Sequence, residues 1–550
     1  MSQLSFALGA YEARVDERVR RWTAEGFARR LWARDYTVWS RVPLPEITDR
    51  LGWLDLPRTS QDEVPSWSAF RDDVLREGFT NIILLGMGGS SLAPEVFQAT
   101  FGNAPCHPPL AVLDSTHPDA ILNLEKQVDL KGSLVLVSSK SGTTIETISL
   151  FRHYDLDASP LRDAPGSHFV AITDPETPLA RTATLRKFLR VFNAPTDIGG
   201  RYSALGAFGL LPAALIGMDV NDVLQRARAM AESCGPTDAE SGLRLGAALG
   251  ELALAGRDKV TFITTPSLAS FPQWLEQLIA ESSGKDGKGM IPIVDEPLDD
   301  AASYGPDRVF ISLEMQGEVL PRHHDLLRSL ESQGHPVLRA EMEQRSELGA
   351  EMFRWEIAVA AACAVLEVHP FNQPDVEISK QIARKMMHEA AGADHPSGRD
   401  AASSQDPAAA SGALLSLLAG ARPGNYVCLQ AYLAPSRDIA DALQRIRLLV
   451  RSRTGLATTA GYGPRFLHST GQLHKGGPNT GIFIQLVDRS PRDFCMSGET
   501  SSWGNLIRAQ SLGDYQALVQ RSRPVLRIDL GTEPIGSLWA LAHELESRKM

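Results

Sequence analysis

Short apolar runs that close on glycine, serine or threonine recur along the first two thirds of this chain. NIILLGMGGSSLAPEVF (81–97) and SLVLVSSKSGTTIETISLF (133–151) are the clearest. A β-branched run of four to eight residues bounded by turn residues reads as a buried strand. The pattern predicts strands over 81–86, 110–114, 133–138 and 168–173 with helices between them. That alternation means a parallel sheet covered on both faces. GGRYSALGAFGLLPAALIGMD (199–219) reads as a glycine turn entering a buried helix. A second α/β unit follows, with strands over 259–264, 308–314 and 336–340 and helices over 239–255, 272–282, 320–332 and 350–367.

The flanks have a different texture. Residues 1–60 read as a helical arm, whose Trp32, Trp39 and Trp53 are expected to dock on a neighbouring unit. AGADHPSGRDAASSQDPAAASG (391–412) has almost no large apolar residue and reads as a linker. Beyond it, strands near 425–433, 457–461, 481–487 and 525–529 and a helix over 436–453 make a smaller α/β region. The expected division is therefore an arm (1–60), two α/β units (61–220 and 221–390), the linker, and a C-terminal α/β region (413–550).

Composition narrows the classes. The 550 residues carry a net charge of −11, which argues against a nucleic-acid binder. No apolar run reaches the roughly 20 residues that span a bilayer. The N-terminus meets charge too early for a signal peptide. The five cysteines at 106, 234, 363, 428 and 495 lack metal or redox spacing. A cytoplasmic protein with reduced thiols, no metal and no cofactor is the expectation.

The candidate chemistry lies in the loops. N–H groups at a helix start are unpaired and face any anion placed there. In SSKSGTTIET (138–147), six hydroxyls flank one lysine; an N-cap needs one or two, so the surplus favours anion binding. GMGGSS (86–91) lacks the third glycine of a dinucleotide fingerprint. Its Gly89 and Ser90 can approach a sugar hydroxyl or a phosphate. Arg201 in GGRYS reads equally as a surface arginine capping a neighbouring carbonyl or as a guanidinium reaching into a cleft to stabilise an oxyanion. In QWLEQLIAESSGKDGKG (273–289), Trp274, Leu275, Leu278 and Ile279 should be core, and Glu276 can be solvated. Gln277 and Glu281 share one face near the helix end. The helix dipole opposes a carboxylate there, so stability does not explain Glu281; the site can suit it to proton transfer, while an exposed Glu at a helix end is the common alternative. Gln373 and Lys380 in HPFNQPDVEISK (369–380) follow a buried helix. STGQLHKGGPNTGIF (469–483), just after His468, is a polar glycine-rich loop containing His474 and Lys475. It reads equally as a substrate-side loop or a surface hairpin.

Together these strings resemble the glucose-6-phosphate isomerase family. GMGGSS is similar to its GIGGS loop, SKSGTTIET to its phosphate loop and AESSGKDGKG to its catalytic-glutamate motif. FNQPDVEISK is similar to its C-terminal signature, and GGRYS is the same string in both. LWARDYTVW, YGPRFLHSTGQLHKGGPNTGIF and LIRAQSLGDYQAL resemble the isomerase half of bifunctional transaldolase/glucose-6-phosphate isomerase proteins. The resemblance implies two sugar-isomerase (SIS) α/β/α sandwich domains with parallel sheets, and the site between them. It implies reversible aldose–ketose isomerisation of glucose 6-phosphate and fructose 6-phosphate, in glycolysis and gluconeogenesis. Ser139, Lys140, Ser141, Thr144 and Thr147 would hold the phosphate. Gly89 and Ser90 would line the sugar side, and Gln277 and Gln373 would hold the bound sugar. Glu281 would be the base, Arg201 the partner of the enediolate, and Lys380 an aid to ring opening.

The family usually has a histidine after the catalytic glutamate, and 291–309 contains none. His474 is the expected substitute. A homodimer and association with a separate transaldolase are the protein partners the resemblance suggests. A phosphosugar-binding regulator without catalysis, or an isomerase that also accepts mannose 6-phosphate, are the alternatives.

Overall fold

The computed structural model describes residues 2–156, 166–236, 240–318, 321–376, 402–403 and 406–548. Its strands are β1 (Gln3–Ala7), β2 (Asn81–Leu85), β3 (Leu110–Leu113), β4 (Ser133–Ser138), β5 (Phe169–Thr173), β6 (Arg190–Asn193), β7 (Lys259–Thr264), β8 (Ile291–Ile293), β9 (Arg308–Met315), β10 (Val337–Met342), β11 (Ala402–Ser403), β12 (Tyr426–Tyr432), β13 (Ala457–Tyr462), β14 (Gly481–Val487) and β15 (Val525–Asp529). They form three five-stranded sheets, ordered β3-β2-β4-β5-β6, β1-β10-β9-β7-β8 and β11-β15-β14-β12-β13. Every pairing is parallel except that of β1 with β10.

The central strands are the ones the apolar runs predict. Ile82–Leu85 and Leu134–Val137 are fully buried, as strands covered on both faces must be. Besides β1 and β11 in the flanks, two short strands escaped the pattern. β8 contains Pro292, which argues against a strand in a sheet interior. It sits at the sheet edge beside β7 alone, where a missing N–H is tolerated. β6 has only Phe192 fully buried.

Two expectations about the flanks are corrected. The helical arm opens with a strand, because β1 pairs with β10 and closes an edge that would otherwise stay unpaired. The expected linker is helical at its end, where Pro407–Ala419 begins on an Asp406 side-chain cap; residues 391–401 lie outside the described residues. The three tryptophans do dock. Trp39 Nε1 donates to Ala360 O (2.8 Å), Trp32 Nε1 to Cys234 O (2.6 Å), and Trp53 is buried beside Tyr202 and Phe353.

Five helices matter for the site: α1 (Ile145–Leu156), α2 (Ala207–Leu215), α3 (Phe271–Ser283), α4 (Arg437–Thr454) and α5 (Trp503–Gln520). The third unit packs on both others. Tyr426, Cys428, Leu473 and Phe483 share an apolar cluster with Ala280, Ile291 and Ile293, while Met496, Trp503 and Leu506 join the core beneath the first sheet. Arg447 on α4 reaches across to Val294 O (2.9 Å) and Asp295 O (2.7 Å). This cover bears on Glu276, which is half-buried rather than freely solvated. It lies under the third unit near Arg465, and burial pushes its carboxyl up to about 8. Among the described residues, no helix is long and apolar enough to cross a membrane.

Candidate active site

Loops leaving the C-terminal ends of β2, β4, β5 and β6 meet α3 and the third unit around a cavity of about 480 Å³. At one end stands α3. Gln277 and Glu281 are one turn apart, and Gln277 Nε2 donates to Glu281 Oε2 (3.0 Å). Glu281 is buried, and its Oε1 lies 3.3 Å from Arg201 Nη2. The guanidinium is held independently of that carboxylate. It donates to Pro370 O (3.2 Å), Phe371 O (3.1 Å), Asn372 O (3.3 Å) and, more weakly, to Gln373 Oε1 (3.5 Å).

Two residues shape that cradle. His369 Nδ1 accepts from the N–H groups of Phe371 (3.1 Å) and Asn372 (3.3 Å). Its Nε2 lies 2.9 Å from Pro45 O and must carry the proton, so the ring is neutral. Burial holds this imidazole down at about 4. Lys285 Nζ donates to Ser282 O (2.7 Å) and His369 O (2.5 Å), joining the end of α3 to the cradle. Burial, with Arg201 close by, pushes its ammonium down to about 7. Lys285 lies in a string quoted for the resemblance and His369 just before one, yet neither is singled out by the sequence, because a lone Lys or His in a loop gives no sign of the carbonyls it will meet.

The other end is the hydroxyl-rich loop before α1. Ser141 Oγ and Thr143 Oγ1 are 2.9 Å apart, as are Ser139 Oγ and Thr144 Oγ1 at 3.1 Å. Lys140 Nζ contacts Asp174 Oδ2 (2.5 Å) and Pro195 O (3.4 Å). Burial raises the Asp174 carboxyl and lowers the Lys140 ammonium, and each resists the other's shift. Gly89 is required here by contact: a Cβ on it would collide with Gly200 O. The glycine loop thus abuts the turn that presents Arg201.

The third unit supplies one wall. Leu467, His468, Lys475, Leu506 and Gln510 line the cavity. His468 O accepts from Gln277 Nε2 (2.9 Å), and its ring Nε2 lies 3.1 Å from Glu146 Oε1. Gln510 Nε2 donates to that same oxygen (2.7 Å).

Of the residues expected at the site, Gly89, Ser90, Lys140, Ser141, Thr144, Arg201, Gln277, Glu281 and Gln373 line the cavity. Ser139 and Thr147 do not; both are buried behind it, Ser139 supporting Thr144. His474 is corrected. It points into the third unit, with Gln430 Nε2 3.3 Å from its Nδ1 and Cys428 Sγ 3.7 Å from its Nε2. Burial, with Lys475 and Arg523 near, holds it neutral, well below the usual range. His468, six residues earlier, is the histidine on the wall. Lys380 lies outside the described residues. Arg50, Glu146, Asp174 and Gln510 line the cavity without having been anticipated.

The profile of the family described as phosphoglucose isomerase matches residues 70–294. The chain is 29% identical over 392 residues to a glucose-6-phosphate isomerase of Rubrobacter xylanophilus, covering 62% of this chain and 90% of that relative. It is 37% identical over 220 residues to a glucose-6-phosphate isomerase of Thermosynechococcus vestitus, covering 38% of this chain and 40% of that one. Two solved structures share the fold. A hypothetical protein from Thermus thermophilus has a TM-score of 0.58 at 24% identity, over 70% of this chain and 100% of that chain. A glucose-6-phosphate isomerase from Chlamydia trachomatis has a TM-score of 0.51 at 22% identity, over 68% and 80%.

Paired α/β units of SIS type bring a carboxylate, its guanidinium and a hydroxyl-rich loop to one cavity. Over residues 70–294 the sequence is similar to the phosphoglucose isomerase family, and the likeness to a glucose-6-phosphate isomerase extends over 392 residues.

Proposed function

We propose that this protein interconverts glucose 6-phosphate and fructose 6-phosphate by moving one proton between neighbouring carbons. The observation that carries the reading is a buried carboxylate, Glu281, set 3.3 Å from an arginine that backbone carbonyls already hold. A phosphosugar sensor has no use for that pair.

The phosphate sits at Lys140, Ser141, Thr143 and Thr144, which directs the sugar toward α3. Ring opening needs a proton to reach the ring oxygen and another to leave the anomeric hydroxyl. His468, oriented by Glu146, is the titratable group on the wall for that exchange. Glu281 then takes the C2 proton of the open aldose and returns it at C1. Negative charge develops on the two oxygens of the cis-enediolate, and Arg201 faces it with donors that need no reorganisation. Gln277 keeps Glu281 in place through Nε2, while its buried Oε1 has no partner among the described residues and suits a sugar hydroxyl.

The test is solvent exchange. In D₂O the wild type should exchange a C1 proton of fructose 6-phosphate, and Glu281→Gln should slow both exchange and turnover by about 10²–10⁴-fold. Undiminished exchange in that variant would remove Glu281 from the role of base.

A further inference from the structure

Among the described residues, four cations line the cavity: Arg50, Lys140, Arg201 and Lys475. Three have carboxylate partners. Lys140 has Asp174 at 2.5 Å, Arg201 has Glu281 at 3.3 Å, and Lys475 has Asp514 at 2.5 Å. Among the described residues, no carboxylate forms an ion pair with Arg50. Its guanidinium donates instead to Thr196 O.

Arg50 belongs to the phosphate end. Lys140 Nζ meets the carbonyl of Pro195 and Arg50 that of Thr196, so two cations grip consecutive residues. The charge of Arg50 is felt by both members of the pair: it lowers the Lys140 ammonium and the Asp174 carboxyl. The segment that carries Arg50 is fixed. Leu51 is buried and bridges Ile198, Gly52 N donates to Asp197 O (3.0 Å), and a Cβ on Gly52 would collide with the Asp197 carboxylate.

A phosphate monoester near neutral pH carries roughly 1.5–2 negative charges. Lys140, matched by Asp174, contributes no net charge to receive it. The hydroxyls of the loop contribute hydrogen bonds and no charge. We propose that Arg50, carried in from the N-terminal arm, is the second phosphate-binding cation of this cavity. Its planar fork suits two phosphate oxygens at once. The arm is then part of the site, and affinity for phosphorylated sugars depends on how it docks.

This inference rests on the isomerase reading, and the experiment separates the two. Turnover of fructose 6-phosphate is measured for wild type, Arg50→Gln and Arg50→Lys, with inorganic phosphate as competitive inhibitor and thermal unfolding as a fold check. Arg50→Gln should raise both the KM and the inhibition constant for phosphate by about tenfold, with kcat within about threefold, because uniform binding is lost. Arg50→Lys should recover part of that loss. Unchanged KM and phosphate inhibition in folded Arg50→Gln overturn the proposal, as does a fall in kcat at constant KM. A wild type that binds inorganic phosphate calorimetrically but does not turn over fructose 6-phosphate would sink the isomerase reading. Arg50 would then be judged by phosphate affinity alone.

Discussion

The two ends of the cavity each hold a cation against a carboxylate, and they are built differently. At the phosphate end, Lys140 and Asp174 touch at 2.5 Å, with side chains 17% and 14% exposed. At the reaction end, Arg201 and Glu281 stand 3.3 Å apart and are 4% and 7% exposed. Lys140 is a point charge on a flexible stem that can exchange Asp174 for a ligand. Arg201 is clamped by the carbonyls of Pro370, Phe371 and Asn372 before any substrate arrives. The first arrangement suits binding. The second suits chemistry, because donors already in place cost no reorganisation at the transition state. Substitutions at the phosphate end should therefore act on KM and those at the reaction end on kcat.

The largest effect expected beyond Glu281 itself is at Arg201. Arg201→Met should lower kcat by about 10²–10³-fold while leaving KM within a few-fold. A variant that raises KM and spares kcat would erase the distinction between the ends. A smaller effect is expected at His468, whose proposed role ends once the ring is open. His468→Asn should slow fructose 6-phosphate by about 10²-fold. It should spare 5-deoxyfructose 6-phosphate, which has no O5 with which to close a ring. Equal slowing of both substrates would move His468 out of ring opening and into general support of the wall.

The smallest effect concerns stability alone and separates the helix from its chemistry. Glu276 shares α3 with Glu281 but faces the third unit. Its folded value of about 8 lies above the ordinary 4.5, so the native state holds this proton more tightly than the unfolded chain. Stability should fall as pH rises from about 4.5 to about 8. Glu276→Gln should remove that part of the decline, so that its melting temperature exceeds the wild type's at pH 8 and approaches it near pH 5. Parallel melting profiles would show that Glu276 is ionised without cost.

Much of the site was legible because it is local. A four-residue spacing on one helix is enough to align Gln277 with Glu281, and the excess of hydroxyls around Lys140 marks an anion loop. The same loop also shows the limit. Ser139 and Thr147 carry the same kind of hydroxyl as Ser141 and Thr144, but the chain turns at Gly142 with φ +64°, and those two side chains face the interior. His468 and His474 are six residues apart with similar neighbours. Only their position across the turn and short helix decides that one meets Glu146 and the other meets Cys428.

By itself the sequence determined the central strands, the two strand-to-helix loops and the carboxylate at the end of α3, because these depend on side-chain period and turn chemistry within a few residues. Tertiary structure alone decided what each charge faces. Glu146 and His468 meet across 322 positions, and Arg201 finds its carbonyls 169–171 positions away. A buried cation or carboxylate acts through the groups that replace its water, and those groups arrive from wherever packing brings them.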